Sequence, residues 1–283
     1  MTDNQFKIVF FGTPEFSVKM LEALRQNNFM PILVITESDK PKGRKLKMAP
    51  SPVKEWAQRY GIPVQHHYDN LKSIGADLFI VASFGKILPK EVLEIPKYGT
   101  LNVHPSLLPK LRGASPIQGA ILSGEKETGV TIMLMNEKMD EGPILSKSNL
   151  KSQISNLSYK ELKNQLAELG GKLLVEIIPK WTNGEIKPRE QEHKKATYTK
   201  KITKENGLID WNEPAEIIER KIRAFTPWPG AYTFVSGKRL IIIQAELKNN
   251  ALKIKRVKPE GKNEMDFADY LRGNSASNIE QYL

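Results

Sequence analysis

Runs dominated by Val, Ile, Leu and Phe, alternating with stretches of helical character, constrain this chain more than any other feature. Lys7–Phe11, Ile32–Thr36 and Asp77–Ser83 are such runs, and Glu15–Asn27 and Ser51–Tyr60 carry the helical pattern between them. A strand that is apolar at consecutive positions needs cover on both faces, whereas a half-exposed strand alternates. The rhythm therefore predicts an α/β fold, a mostly parallel Rossmann-like sheet with helices on both faces. Ser51-Pro52 is a fitting helix start, because the serine caps and the proline fills a first-turn position that needs no donor.

Further strands are expected at Thr100–His104 and Val130–Met135, with a helix beginning near Pro116 between them and a long helix over Ser158–Ile178. Between Asn183 and Lys200 the chain is polar and aperiodic, which reads as a connector. Beyond it, Pro214–Phe225 is helical in pattern. Ala231–Val235, Leu240–Leu247 and Ala251–Val257 read as strands of a small β-rich unit, the first two joined at Ser236-Gly237. The expected division is 1–183 for a first, catalytic domain, 184–203 for a linker and 204–283 for a C-terminal domain.

Composition narrows the function. The 283 residues contain no cysteine, which excludes disulfides, thiolate metal sites and a cysteine nucleophile, and only four histidines are present. No apolar run approaches the roughly 20 residues of a membrane-spanning helix. The first residues pass directly into a strand with no signal-peptide pattern, so a cytoplasmic location is expected. The formal net charge is +11, and it is concentrated. Six Lys or Arg and no Asp or Glu lie between Lys40 and Lys54; from Lys194 to Lys262 there are 16 basic and 7 acidic residues. Two separate basic regions suit a polyphosphate partner, since phosphate contacts supply the sequence-independent part of nucleic-acid affinity.

The first strand runs into Gly12-Thr13-Pro14-Glu15, where the second and third glycines of a dinucleotide fingerprint are missing, which argues against a nicotinamide cofactor. Polar chemistry gathers later. In Thr100-Leu101-Asn102-Val103-His104 the alternation of a strand sends Asn102 and His104 to one face. A proline-rich loop, Pro105-Ser106-Leu107-Leu108-Pro109, follows at once, and Asp140 stands in a turn after the next strand. Taken singly, these residues read as a backbone-bonding amide, a core histidine and a turn former. Together they suit attack of a neutral amine on a carbonyl carbon. Asn102 and a protonated His104 stabilise the developing oxyanion, Asp140 holds the imidazole and helps remove the amine proton, and no covalent enzyme intermediate is needed.

Asn102-x-His104, Ser106-Leu107-Leu108-Pro109, Arg112-Gly113 and the later Asp140 resemble, in order, the hallmark of the 10-formyltetrahydrofolate-dependent formyltransferases. Lys40-Pro41-Lys42-Gly43-Arg44 and Ile222–Pro229 are similar to segments of the branch of that family that acts on tRNA, and the likeness covers nearly the whole chain. The resemblance implies a 10-formyltetrahydrofolate co-substrate bordered by Ser106, Leu107, Leu108 and Pro109, with Phe84, Ile87, Leu88 and Met135 lining the pterin pocket. It implies methionyl initiator tRNA as the acceptor, contacted by Lys40, Lys42, Arg44, Lys45 and Lys47 and by a C-terminal OB-like barrel. It also implies a monomer without a metal. An acceptor amine on a sugar nucleotide or on glycinamide ribonucleotide is the alternative, although neither needs the basic loop. Only Lys248-Asn249-Asn250 separates the last two strands where the family carries more chain, so the barrel is expected to be shortened and incomplete. Pro105 stands where the family has glycine.

Overall fold

The computed structural model describes residues 6–42, 46–151, 154–249 and 251–273. The chain forms two compact units. The first comprises residues 1–113, 128–151 and 163–198. Its sheet is built from β1 (Ile8–Gly12), β2 (Leu33–Ile35), β3 (Val64–Gln65), β4 (Leu78–Ala82), β5 (Thr100–His104), β6 (Gly129–Leu134) and β7 (Ile144–Asn149), in the spatial order β7-β6-β5-β4-β1-β2-β3. The five strands from β5 to β3 are parallel, whereas β6 runs antiparallel to β5 and β7 antiparallel to β6. The expected strand over Val130–Met135 lies one residue earlier, as Gly129–Leu134, and the Met135 amide donates to the Thr100 carbonyl at 2.8 Å.

Every residue of β1, β2 and β4 is buried, as the unbroken apolar runs require, and β5 is buried throughout although Thr100, Asn102 and His104 alternate with its apolar residues. Val9, Phe11, Phe79 and Val81 join Leu33, Ile35, Phe84 and Leu88 in one core cluster. The helix Pro52–Arg59 begins as its sequence predicts: Ser51 Oγ accepts from the Lys54 amide at 3.0 Å and shares a 2.8 Å bond with Thr36 Oγ1. Chain order reverses beside β1, with β2 on one side and β4 on the other. That arrangement opens a crevice beyond the carboxyl ends of the parallel strands. Asn102 and His104 stand at that end of β5, opposite Met133 and Thr131 of β6.

Gly12, which closes β1, meets a packing need in place of a pyrophosphate. Ser17 of the following helix, Glu15–Gln26, donates its Oγ to the Ala82 carbonyl at 2.6 Å and receives the Thr13 amide at 3.2 Å. A methyl group on Gly12 would sit 2.7 Å from both the Phe10 ring and Ser17.

The polar stretch expected to connect two domains is held to the first unit as far as Tyr198. Ile144 and Arg189 exchange backbone bonds at 2.8 and 2.9 Å, the Arg112 amide donates to the Thr197 carbonyl at 2.9 Å, and Gln191 is only 4% exposed.

The second unit comprises residues 114–127, 152–162 and 199–283. Four antiparallel strands, β8 (Ala231–Val235), β9 (Lys238–Lys248), β10 (Ala251–Pro259) and β11 (Met265–Asp266), pair in chain order. Among the described residues β8 and β11 are its edges. Ile218 and Ile222 of the helix Ala215–Phe225 share a core with Leu240, Ile242, Leu252, Ile254 and Val257 of the sheet. Lys253, Arg256 and Lys258 of β10 stay exposed between those inward residues.

Gly12→Ala is expected to lower stability by about 1–3 kcal/mol, the usual range for overpacking. The measurement is the urea midpoint at unchanged slope; an unaltered midpoint would show that the helix does not press on β1 as closely as described.

Candidate active site

Three side chains distant in sequence meet at the end of β5. Asn102 Nδ2 donates to Asp140 Oδ1 at 3.3 Å, and His104 Nδ1 lies 3.6 Å from the same oxygen. The other carboxylate oxygen, Oδ2, accepts the Gly113 amide at 2.7 Å. All three side chains are largely withdrawn from solvent, His104 most completely. Bonds to an ionised carboxylate in such surroundings are shorter and stronger than neutral ones. The structure thus brings together the amide, imidazole and acid that the sequence suggested.

One detail differs from expectation. His104 Nε2 lies 3.0 Å from the Leu111 carbonyl, which can only accept, so Nε2 carries a hydrogen and is already engaged. Nδ1 is the imidazole atom turned toward the acid. Asn102 keeps a second hydrogen on Nδ2 beyond the one given to Asp140.

Asp140 occupies the left-handed region at φ 54°, a conformation that costs an L-residue about 1–2 kcal/mol and that aspartate tolerates better than most. Gln191 holds it there: its Nε2 donates to the Asp140 carbonyl at 2.9 Å and to the Gly142 carbonyl at 2.8 Å. The Gln191 Oε1 accepts from Arg112 Nε and Nη2 at 3.1 and 2.8 Å. Arg112, 1% exposed, also pairs with Glu141 at 3.1 Å and bonds to Tyr198 Oη at 3.2 Å and His193 Nδ1 at 3.1 Å. Sequence reasoning noted Arg112 only as part of a motif and passed over Gln191, Glu141 and His193. Gln191 lies in an aperiodic polar stretch that offers no signal in a single sequence.

The proline-rich loop is fixed from beneath. Ser106 Oγ donates to the Lys110 carbonyl at 2.7 Å. Thr131 Oγ1 donates to the Ser106 carbonyl at 2.7 Å and accepts the Leu108 amide at 3.1 Å. Lys147 Nζ donates to the Leu108 carbonyl, and burial lowers that ammonium from its ordinary value while the Glu192 charge opposes the shift. Ser106 and Leu108 are fully buried, Leu108 against Met133 and Ile144, so Leu107 and Pro109 are the loop residues that reach the surface.

The other expected binding residues divide in the same way. Phe84 and Leu88 are core residues, Phe84 edge-on to Phe11 at 5.5 Å, while Ile87 is 75% exposed and Met135 is partly buried. A cleft of 720 Å³ follows the 134–141 segment and is lined in part by Lys90, Thr100, Met135, Glu141 and His193. Asn102, His104 and Asp140 are not among its walls. Lys40 and Lys47 lie on a two-stranded ribbon, Lys40–Lys42 with Lys47–Ala49, where Lys40 pairs with Glu37 at 2.6 Å and Lys47 is exposed. Arg44, Lys45 and the side chain of Lys42 lie outside the described residues. Among the described residues no group of His, Asp and Glu is disposed to hold a metal ion, and no helix is long and apolar enough to cross a membrane.

Residues 6–178 match the profile of a family described as formyl transferase, and residues 201–251 match that of the formyl transferase C-terminal domain. A methionyl-tRNA formyltransferase of Bacillus licheniformis is 40% identical over 300 residues, covering 94% of this chain and 95% of the relative. Among solved structures, an N-formyltransferase of Helicobacter canadensis in complex with folinic acid and dTDP-3-aminofucose has a TM-score of 0.66 at 21% identity, covering 86% of this chain and 88% of its own. A methionyl-tRNA formyltransferase of Clostridium thermocellum has a TM-score of 0.62 at 19% identity, covering 90% and 98%. At those identities the two structures establish the fold.

A Cβ on Gly142 would lie 1.8 Å from the Leu134 carbonyl oxygen. The oxygen belongs to the backbone, so no flexible side chain can yield. Gly142→Ala is expected to cost about 3 kcal/mol or more, the upper end for overpacking, read from denaturant unfolding. A loss below about 0.5 kcal/mol, the ordinary surface value, would mean that the turn carrying Asp140 is free to shift.

Proposed function

The chain belongs to the formyl transferase family, and from that membership we propose that it transfers the formyl group of 10-formyltetrahydrofolate to the free amino group of methionyl initiator tRNA. The observation that carries this reading is the 40% identity to a methionyl-tRNA formyltransferase along nearly the full length of both chains. Both basic regions fall within that likeness, and a small amine acceptor gives neither of them a role. The sugar N-formyltransferase structures resemble the chain only at the level of fold. Charged tRNA and folate must share a compartment for this reaction, and the cytoplasm is the location that this reading proposes.

In the proposed reaction the neutral amine attacks the formyl carbon. A new C–N bond forms, the bond from that carbon to N10 of the folate breaks, and one proton passes from the attacking nitrogen to N10. The second Asn102 Nδ2 hydrogen is the donor for the carbonyl oxygen as it gains negative charge, while the first keeps the amide aligned on Asp140. Asp140, facing His104 Nδ1, accepts the amine proton directly or through water. His104 is fixed by Leu111 and sets the charge environment of the acid. Leu107, Pro109, Ile87 and Met135 are the predicted folate-contacting residues with surface to offer, and Ser106, Leu108, Phe84 and Leu88 shape the wall behind them. The basic loop from Lys40 to Lys47 engages the acceptor end of the tRNA, and residues 204–283 engage its backbone through the exposed lysines of β10.

The direct test combines 10-formyltetrahydrofolate with charged initiator tRNA, or with a sugar-nucleotide amine, and measures the formylated product. Turnover of the second acceptor alone would overturn the assignment. Asn102→Ala is expected to lower kcat about 10²–10³-fold, the effect of losing one oxyanion donor, with folate affinity unchanged; kcat within tenfold of the parent contradicts the role. Arg44→Ala is expected to weaken use of charged tRNA and to reduce the log–log salt slope of binding by about 1. An unchanged slope removes the loop from the tRNA interface.

A further inference from the structure

We propose that Gln191 is a positioning residue for formyl transfer, setting the Asp140 carboxylate by gripping the backbone on both sides of Glu141. The inference rests on the reading that Asp140 takes part in proton transfer. The hydrogen-bonding capacity of its amide is committed. Both Nε2 hydrogens go to carbonyl oxygens, those of Asp140 and Gly142 at 2.9 and 2.8 Å. Its oxygen receives Arg112 Nε and Nη2 at 3.1 and 2.8 Å. A guanidinium only donates and a carbonyl only accepts, so the orientation of this amide is unambiguous.

The partners are as fixed as the amide. Arg112 is 1% exposed and adjoins Gly113, whose N–H holds Asp140 Oδ2 at 2.7 Å. Arg112 also pairs with Glu141, the residue between the two carbonyls that Gln191 grips. Gln191 therefore ties the two segments that flank the acid into one assembly, through bonds to backbone and to Arg112. Asp140 sits at φ 54°, a conformation that even in aspartate carries a cost and that the surrounding bonds help to hold. Releasing the two carbonyls lets the peptide relax and moves the carboxylate away from Asn102 and His104. A displacement of about 1 Å in a reacting group costs on the order of 10²-fold in rate.

Gln191→Glu separates the two halves of the grip, because a carboxylate still receives Arg112 but presents an oxygen to the two carbonyls. Gln191→Met removes both halves at similar volume. Each is made in the full chain, alone and with Asp140→Asn. The readouts are kcat, KM for 10-formyltetrahydrofolate and for methionyl-tRNA, and the thermal midpoint. In whichever variant keeps the parent's midpoint, kcat is expected to fall about 30–100-fold with both KM values within about threefold. In the Asp140→Asn background the same change is expected to alter kcat by less than about threefold, since residues that act through one another are not additive. A single variant with kcat within threefold of the parent, or equal losses in the two backgrounds, overturns the proposal. If Asp140→Asn alone leaves kcat unchanged, the proton-transfer reading of Asp140 fails, and the role of Gln191 falls with it.

Discussion

The Asp140 carboxylate is the point on which the rest of the site depends. It is mostly hidden from water, and the Asn102 amide, the Gly113 N–H and the His104 ring surround it. A carboxylate taken out of water must recover its lost solvation from fixed donors, and it fixes those donors in return. One oxygen faces Asn102 and His104, which project from a strand; the other meets Gly113, beyond the proline-rich loop. The acid therefore holds loop and strand in register with the turn on which it stands. Losing any one of the donors leaves a buried charge less well satisfied, which is why a polar cluster of this kind tolerates so little change.

Behind that point stands a second charge, the Arg112 guanidinium. Buried at 1% exposure, it is met by Glu141, Gln191, Tyr198 and His193, and removing one partner from such a group costs more than the pairing gains over an apolar pair. The arrangement makes sense as specificity of position. An apolar plug at Arg112 fills space equally well, but it does not orient an amide toward two carbonyls. The same economy appears beneath the proline-rich loop, where Thr131 donates to one carbonyl and accepts one amide of that loop. Both devices are built on β5, β6 and the segments beside them, where antiparallel pairing joins the parallel sheet and brings the end of β5 beside the start of β6.

The sequence discloses these layers unequally, and for physical reasons. Unbroken apolar runs made β1, β2 and β4 legible because burial on both faces leaves no alternative composition. Asn102 and His104 were legible because a period of two is a strict geometric rule. Asp140 was legible only as a carboxylate in a turn near a strand end. Gln191 was not legible at all, since its stretch has no period and its partners lie 49 to 79 residues away. Its burial comes from bonds made in three dimensions, so a polar stretch that reads as a connector supplies a structural amide. Phe84, Leu88, Ser106 and Leu108 show the converse, because their place in the sequence marks the region while only the fold shows that their side chains turn inward.

The division between a buried, tightly tied site and exposed basic surfaces follows from the two kinds of recognition the proposed reaction demands. Transfer of a formyl group depends on atoms placed to within a fraction of an ångström, which requires polar groups locked by their own partners, as Asn102, His104 and Asp140 are. Holding a polyanion depends on the number of cations and is insensitive to the exact placement of any one, a demand that exposed side chains such as Lys253 and Lys258 of β10 and Lys40 and Lys47 of the ribbon fit under the proposed reading. Removing one lysine from such a surface subtracts a cation from a sum, whereas removing the amide beneath Asp140 changes the geometry on which the first task rests.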